Sequence, residues 1–342
     1  MPAKARKRGR KPVIAVTSGD PGGVGPEIVA RMFARQRPVR SIALLVGSVR
    51  ILGPLLEGAG ATIGVIDPSG LEAMRKAPGA GSVFLLDTGC RARYAAGRNS
   101  RGGGRHAGKA LELACGLAEG GQVDALVTAP VSKRSLILAG YPFTGHTEMF
   151  ARCFDAPDCQ MVMVYRELRV IPLTRHIPLS EVSSALTTER IVKALVVVWR
   201  ALIEEFGIPR PHIAVAALNP HAGEEGVVGR EEIEVIVPAL EQARQIGIRV
   251  DGPIPGDSLF QHAENGTFDA FVSMYHDQGL IPFKMAARRR GVNVTVGLPV
   301  VRTSVDHGVA YDIVGKGVAS IASLKQAYAL AEKLAKRHIM SG

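Results

Sequence analysis

Apolar residues in this chain come in short runs. Val13–Thr17, Ile42–Gly47, Val83–Asp87, Ala125–Thr128, Met161–Tyr165, Ile213–Leu218, Ala270–Met274 and Val292–Val296 are rich in β-branched residues and bounded by Gly, Pro or Asp. Such runs predict strands buried on both faces. Between them, His106–Glu119, Thr188–Phe206 and Arg230–Ile246 carry apolar residues at helical spacing, and Leu324–His338 closes the chain as a helix rich in Ala, Leu and Lys. Strands alternating with helices predict an α/β fold with a largely parallel sheet. The glycine-rich stretch Arg98–Arg105 reads as a mobile loop, and the chain shows neither an internal repeat nor a long low-complexity linker.

Length adds a division. A chain of 342 residues exceeds the ~250–300 residues at which single cores stop growing, so two lobes are expected. Hydrophobic residues at 46% and charged residues at 21% describe an ordinary globular protein. No apolar run approaches the ~18 residues of a membrane span. Val13-Ile-Ala-Val also falls short of the ~7–15-residue apolar region of a secretory signal, which points to a cytoplasmic protein. Of the net charge of +11, six positives are Lys4, Arg6, Lys7, Arg8, Arg10 and Lys11. Residues 1–12 therefore read as a basic, disordered, solvated tail, with a polyanion contact as the lesser reading. With aromatics at 5% and no zinc-finger or RNP-like motif, a nucleic-acid module is not indicated. Cys90, Cys115, Cys153 and Cys159 lack C-x-x-C spacing and are expected as buried thiols in a reducing compartment.

Ligands of open α/β sheets gather at the carboxyl ends of strands, so the polar loops there are the places to search. Thr17–Glu27 follows the first strand and opens a helix, but its glycines do not fit G-x-G-x-x-G and no acid follows at ~20 residues. A structural turn and a ligand loop both remain open for it. Three further loops present His176, His221 and His276, each just after an apolar run. A single such histidine is more often structural. Three imidazoles, however, leave a fourth position on a divalent ion open, as a catalytic metal requires. Asp257 and Asp277 are placed to ligate the ion or to orient an imidazole, and Gly279 is expected to let the backbone turn after His276. Lys284, Asn293 and Arg302, with His146 and Thr147 at an expected helix start, suggest an anion site; a solvated basic face is the alternative, and the preferred one for Arg288–Arg290.

The phrases SGDPGGVGPE, TAPVSK, PFTGHTE, NPHAGEEG, GPIPGDSLF, MYHDQGLIPFK, GVNVTVGLP and RTSVDHGVAYDIVGKG run in order from about Ser18 to Lys316. Together they resemble the motif series of the 4-hydroxythreonine-4-phosphate dehydrogenase family. The resemblance implies an isocitrate/isopropylmalate dehydrogenase-like two-lobed fold, with the active site in the interlobe cleft at a homodimer interface. It has no Rossmann domain, which accounts for the missing fingerprint. Residues 13–135 plus 300–342 would form the cofactor lobe, and 136–299 the lobe for metal, substrate and dimer contacts.

Carried over by residue, the resemblance implies that His176 and His221 bind a divalent metal (Zn, Mg, Mn or Co) from one subunit and His276 from the other. It assigns His146, Thr147, Lys284, Asn293 and Arg302 to the substrate and its phosphate, and Asp257, Asp277 or Lys284 to proton relay. Gly308–Gly317 resembles an adenine-binding loop, with Gly308, Asp312 and Gly315 at the cofactor and Asp312 favouring NAD over NADP. The implied activity is NAD(P)-linked oxidation of a phosphorylated hydroxy acid of the 4-phosphooxy-L-threonine type, followed by decarboxylation of the β-keto acid, in pyridoxal phosphate biosynthesis. Val309, where the family usually has threonine, and the Gly-rich segment near Arg101 are departures. They keep relatives acting on 4-phospho-D-threonate, 4-phospho-D-erythronate or an aromatic cis-dihydrodiol carboxylate in view. A non-catalytic polyanion-binding protein on the same fold would be expected to have lost a metal histidine or the clamp, and neither is lost.

Overall fold

The computed structural model describes residues 10–35, 40–61, 63–75, 83–143, 145–263 and 265–341. Among them the strands are β1 (Val13–Thr17), β2 (Ile42–Gly47), β3 (Gly64–Ile66), β4 (Val83–Asp87), β5 (Ala125–Thr128) and β6 (Gln160–Tyr165). They continue with β7 (Leu168–Pro172), β8 (His212–Ala216), β9 (Arg249–Ile254), β10 (Ala270–Ser273), β11 (Val292–Val296) and β12 (Val301–Val305). The chain divides into two compact units, Met1–Ala156 with Leu298–Gly342, and Pro157–Gly297.

In the first unit the strand order is β3-β4-β2-β1-β5-β12, and every pairing is parallel. β1 and β2 are buried along their whole length. That is the burial a continuous apolar run demands, since alternation would leave one face to water. β12 (VRTSV) is also wholly buried although it holds an arginine, a threonine and a serine, so hydropathy alone does not mark it as a strand. Its Thr303 hydroxyl donates to the Ala327 carbonyl at 2.9 Å, tying the strand to the closing helix Ala322–Ser341.

In the second unit the order is β11-β6-β7-β10-β8-β9. β6 pairs antiparallel with both neighbours, whereas β7, β10, β8 and β9 are parallel. Met163, Val170, Phe271 and Phe283 form the centre of its core. Burying each of these side chains contributes roughly 1.5–3 kcal/mol.

Three expectations change here. The segment expected as a mobile loop begins a helix: α1 (Arg101–Glu119), capped by Ser100, whose hydroxyl accepts from Gly103 N at 3.0 Å. Glycine normally weakens a helix by about 1 kcal/mol relative to alanine. Here the absent side chains admit other backbone: a Cβ on Gly102 would strike the Arg93 carbonyl, and one on Gly104 the Ser135 carbonyl. The second change concerns the basic tail. Residues 1–9 lie outside the described residues, but Arg10 makes a bidentate ion pair with Asp124, Nη1 to Oδ2 at 2.7 Å, and Pro12 accepts from Ile42 N at 2.9 Å. A guanidinium fork matched to a carboxylate holds a segment that its sequence alone reads as solvated. Third, Cys115 on α1 and Cys153 are joined in a disulfide with Cα atoms 6.6 Å apart, while Cys90 and Cys159 are buried and outside any disulfide.

The glycine stripe predicts opposite outcomes within one helix. Gly104→Ala forces backbone apart and should lower the unfolding free energy by about 1–3 kcal/mol. Gly116→Ala, where an added methyl meets nothing within 4 Å, should raise it by roughly 0.5–1 kcal/mol. Urea denaturation of the two variants checks both signs.

Candidate active site

The first loop is structural. Gly19 and Gly25 lie against backbone of Pro130 and Ser18, Gly22 against Ala95 and Arg98, and Gly23 against Val309, each too closely for a side chain. Asp20, fully buried, accepts from Gly22 N at 2.8 Å and from the Tyr311 hydroxyl at 3.1 Å. Glu27 accepts from Gly315 N at 3.2 Å. The loop thus clamps the segment that carries Gly308, Asp312 and Gly315. On that segment Asp312 is exposed in a one-turn helix, Tyr311–Ile313. Gly308 and Gly315 face open space, which leaves room for a ligand beside the carboxylate. Val309 has a packing role: its carbonyl accepts from Val24 N at 2.9 Å.

Also in the first unit, α2 (His146–Cys153) begins with His146 and Thr147; Thr144 lies outside the described residues. The His146 ring nitrogen Nε2 is 3.2 Å from the Ala129 carbonyl, just past β5. Arg302 on β12 is 1% exposed; its Nη2 donates to Thr128 Oγ1 at 2.7 Å, and its guanidinium lies 5.7 Å from the centre of the Phe150 ring. Burial, and then the Arg302 charge, hold the His146 imidazole well below its ordinary value. A neutral imidazole beside a buried cation at a helix start suits an anion.

In the second unit, the ends of three strands are tied together by side chains. Leu173 N and Thr174 N continue the β7–β10 pairing onto the Ser273 and Met274 carbonyls, and Thr174 Oγ1 adds a bond to Met274 O at 2.8 Å. Gln278 accepts from Met274 N and donates to the Ala217 carbonyl, both at 2.7 Å, so it links the end of β10 to the end of β8. Sequence reasoning missed Gln278, although it sits beside His276 and Asp277. These ties place His176, which follows β7, with its ring centre 6.1 Å from that of His276. His276 opens α3 (His276–Ala287), and its Nδ1 is 2.6 Å from Asp277 Oδ1, which leaves Nε2 as the ring nitrogen a metal would take. Gly279 lies inside α3, not at a turn: an added Cβ would strike Ser273.

Metal–nitrogen bonds of about 2.0–2.1 Å in a tetrahedral site set two ligating ring centres roughly 5 Å apart. The 6.1 Å separation of His176 and His276 within one chain is about an ångström wider than that. Among the described residues no three His, Cys, Asp or Glu side chains gather to hold a metal. His221 is exposed on the turn after β8, and Asp257 is exposed in the short helix Gly256–Leu259. Lys284 is exposed on α3, while Asn293 on β11 buries a side-chain oxygen that has no partner among the described residues. The five proposed substrate residues are thus divided, with His146, Thr147 and Arg302 in one unit and Lys284 and Asn293 in the other. In the second unit a cavity of about 370 Å³ is lined by Arg175, Arg190 and Lys193 as well as Glu189 and Asp158.

Residues 43–331 match the family model described as pyridoxal phosphate biosynthetic protein PdxA. A 4-hydroxythreonine-4-phosphate dehydrogenase from Desulforapulum autotrophicum is 42% identical over 327 residues, covering 94% of this chain and 95% of its own. A relative from Bradyrhizobium diazoefficiens, whose name proposes a D-threonate 4-phosphate dehydrogenase, is 40% identical over 339 residues, 94% of this chain and 96% of its own. The crystal structure of a 4-hydroxythreonine-4-phosphate dehydrogenase from Klebsiella pneumoniae superposes with a TM-score of 0.85 at 35% identity, over 96% of this chain and all of that one.

The His146 shift has a testable sign. Between the unfolded value of 6.5 and the lower folded value, the unfolded chain takes up a proton that the folded chain refuses, so stability falls as pH falls through that window. His146→Gln removes this contribution. Denaturation midpoints measured from neutral pH downward should fall less steeply in the variant than in the wild type.

Proposed function

Because the chain belongs to the PdxA family of dehydrogenases, we propose that it oxidises a hydroxyl of a phosphorylated hydroxy acid, 4-hydroxythreonine 4-phosphate, with NAD or NADP. The observation that carries this reading is the neutral His146 beside buried Arg302 at the start of α2. A phosphate dianion there completes the local charge and receives the free N–H groups of the helix start, Thr147 included. Lys284 and the Asn293 side-chain oxygen, without a partner among the described residues, would hold other polar groups of the substrate.

His176 and His221 of one chain, with His276 of a second copy, would hold a divalent ion. Held there, a divalent ion would supply Lewis acidity to the substrate hydroxyl and a bound nicotinamide would be the hydride acceptor, the oxidised β-keto acid then being set to lose carbon dioxide. Asp277 keeps the His276 ring oriented through Nδ1, and Asp312 offers a carboxylate to ribose hydroxyls. A homodimer is supported by apolar side chains left exposed within ten residues of each histidine in the sequence: Leu179 at 70%, Val227 at 85%, Ile281 at 60% and Met285 at 74%. Exposed apolar residues rimmed by polar ones mark interfaces. The D-threonate 4-phosphate reading is kept as the second, on the strength of the Bradyrhizobium relative.

Purified protein with a divalent metal should form reduced nicotinamide from 4-hydroxythreonine 4-phosphate faster than from D-threonate 4-phosphate; the reverse order selects the second reading, and silence on both removes the proposal. Charge-assisted hydrogen bonds contribute about 1.5–3 kcal/mol. Lys284→Ala should therefore lower kcat/KM roughly 10–100-fold, chiefly through KM. Asp312→Ala should narrow the preference for NAD over NADP, read from the ratio of the two kcat/KM values.

A further inference from the structure

His221 stands on an unusual backbone. His221, Ala222, Gly223, Glu224 and Glu225 hold φ of 51, 55, 79, 45 and 55° in succession, all left-handed. Four are not glycine, and each such residue costs roughly 1–2 kcal/mol relative to right-handed backbone. A turn of that kind persists only where its surroundings impose it.

Two consecutive carboxylates supply those surroundings. Glu232, 2% exposed, accepts at Oε1 from Leu218 N and Asn219 N, and at Oε2 from the Asn219 side-chain amide, all at 2.8 Å. A Cβ on Gly223 would lie 2.7 Å from Glu232 Oε2, so glycine at the middle of the turn lets the carboxylate fit beneath it. Glu231 faces two segments. Its Oε2 accepts from the Asn219 amide at 2.8 Å, and its Oε1 accepts from the Ser183 hydroxyl at 2.6 Å. Ser183 lies in the short helix Val182–Ala185, a few residues beyond His176. One carboxylate therefore grips the base of the His221 turn, while the other straps that turn to the segment following His176. The next residues, Glu232–Ile236, form a π-helical turn, a feature frequent at functional sites.

We infer that Glu231 and Glu232 are positioning residues that hold the His221 turn and the His176 segment in register; this rests on the reading of those imidazoles as ligands of a divalent ion. The test is cobalt(II) titration of the metal-free full-length protein, followed by visible absorption. Glu232→Gln keeps the size but turns one acceptor into a donor facing another N–H. It should weaken cobalt affinity about 10–100-fold, as loss of a group that orients a metal ligand does, while the far-ultraviolet circular dichroism stays native. Glu231→Gln and Ser183→Ala cut only the strap and should weaken affinity in the same direction by less. Because Ser183 is exposed, Ser183→Ala decides the matter if Glu232→Gln fails to fold. His221→Ala is the reference and should abolish tight binding. Wild-type cobalt affinity in the three positioning variants, with loss in His221→Ala, overturns the inference alone; wild-type affinity in His221→Ala overturns the ligand reading and the inference with it.

Discussion

Every backbone N–H and C=O released at the end of a strand must find a partner or suffer the loss of a hydrogen bond. In the second unit that requirement is met by side chains adjacent to the imidazoles. Thr174 and Gln278 take up groups of Met274 and Ala217, and Glu232 takes up the N–H groups of Leu218 and Asn219. The same bonds that end β7, β8 and β10 therefore aim His176, His221 and His276. The loops that carry the three histidines are thus tied to the sheet at their bases although they are polar and partly exposed.

Around His146 in the first unit, charge is organised through burial. Arg302 enters on a buried strand, bonds Thr128 and lies near the Phe150 ring, and its field helps keep His146 neutral. A flexible surface lysine could not do this, because water would screen it.

β1, β2, β4, β5, β8 and β10 were legible because continuous apolar runs have few other stable placements, whereas the parallel strands β3, β7 and β9, short or broken by Arg, Asp or Gly, were missed; the three histidines stood out in the sequence because each follows an apolar run. β12 was not legible from hydropathy, since Arg302, Thr303 and Ser304 interrupt it; the motif carried Arg302 instead. The start of α1 was hidden for a different reason. Local propensity counts three glycines against a helix, whereas the close approach of Arg93 and Ser135 backbone is a tertiary fact. Arg10 and Asp124, and likewise Cys115 and Cys153, meet only once the fold brings distant segments together. Glu231 and Glu232 fall at the start of the expected helix Arg230–Ile246, and their grip on the left-handed turn is visible only in the structure.

Chain order has a further result for how the molecule is made. The first unit is assembled from two stretches separated by the whole of the second, and its strand β12 is translated after all three imidazole-bearing loops. A nascent polypeptide halted near residue 297 would carry every histidine discussed but no Arg302. Domains tend to fold in the order they leave the ribosome, so the buried cation arrives last, and an incompletely synthesised chain has no means of charging the pocket around His146.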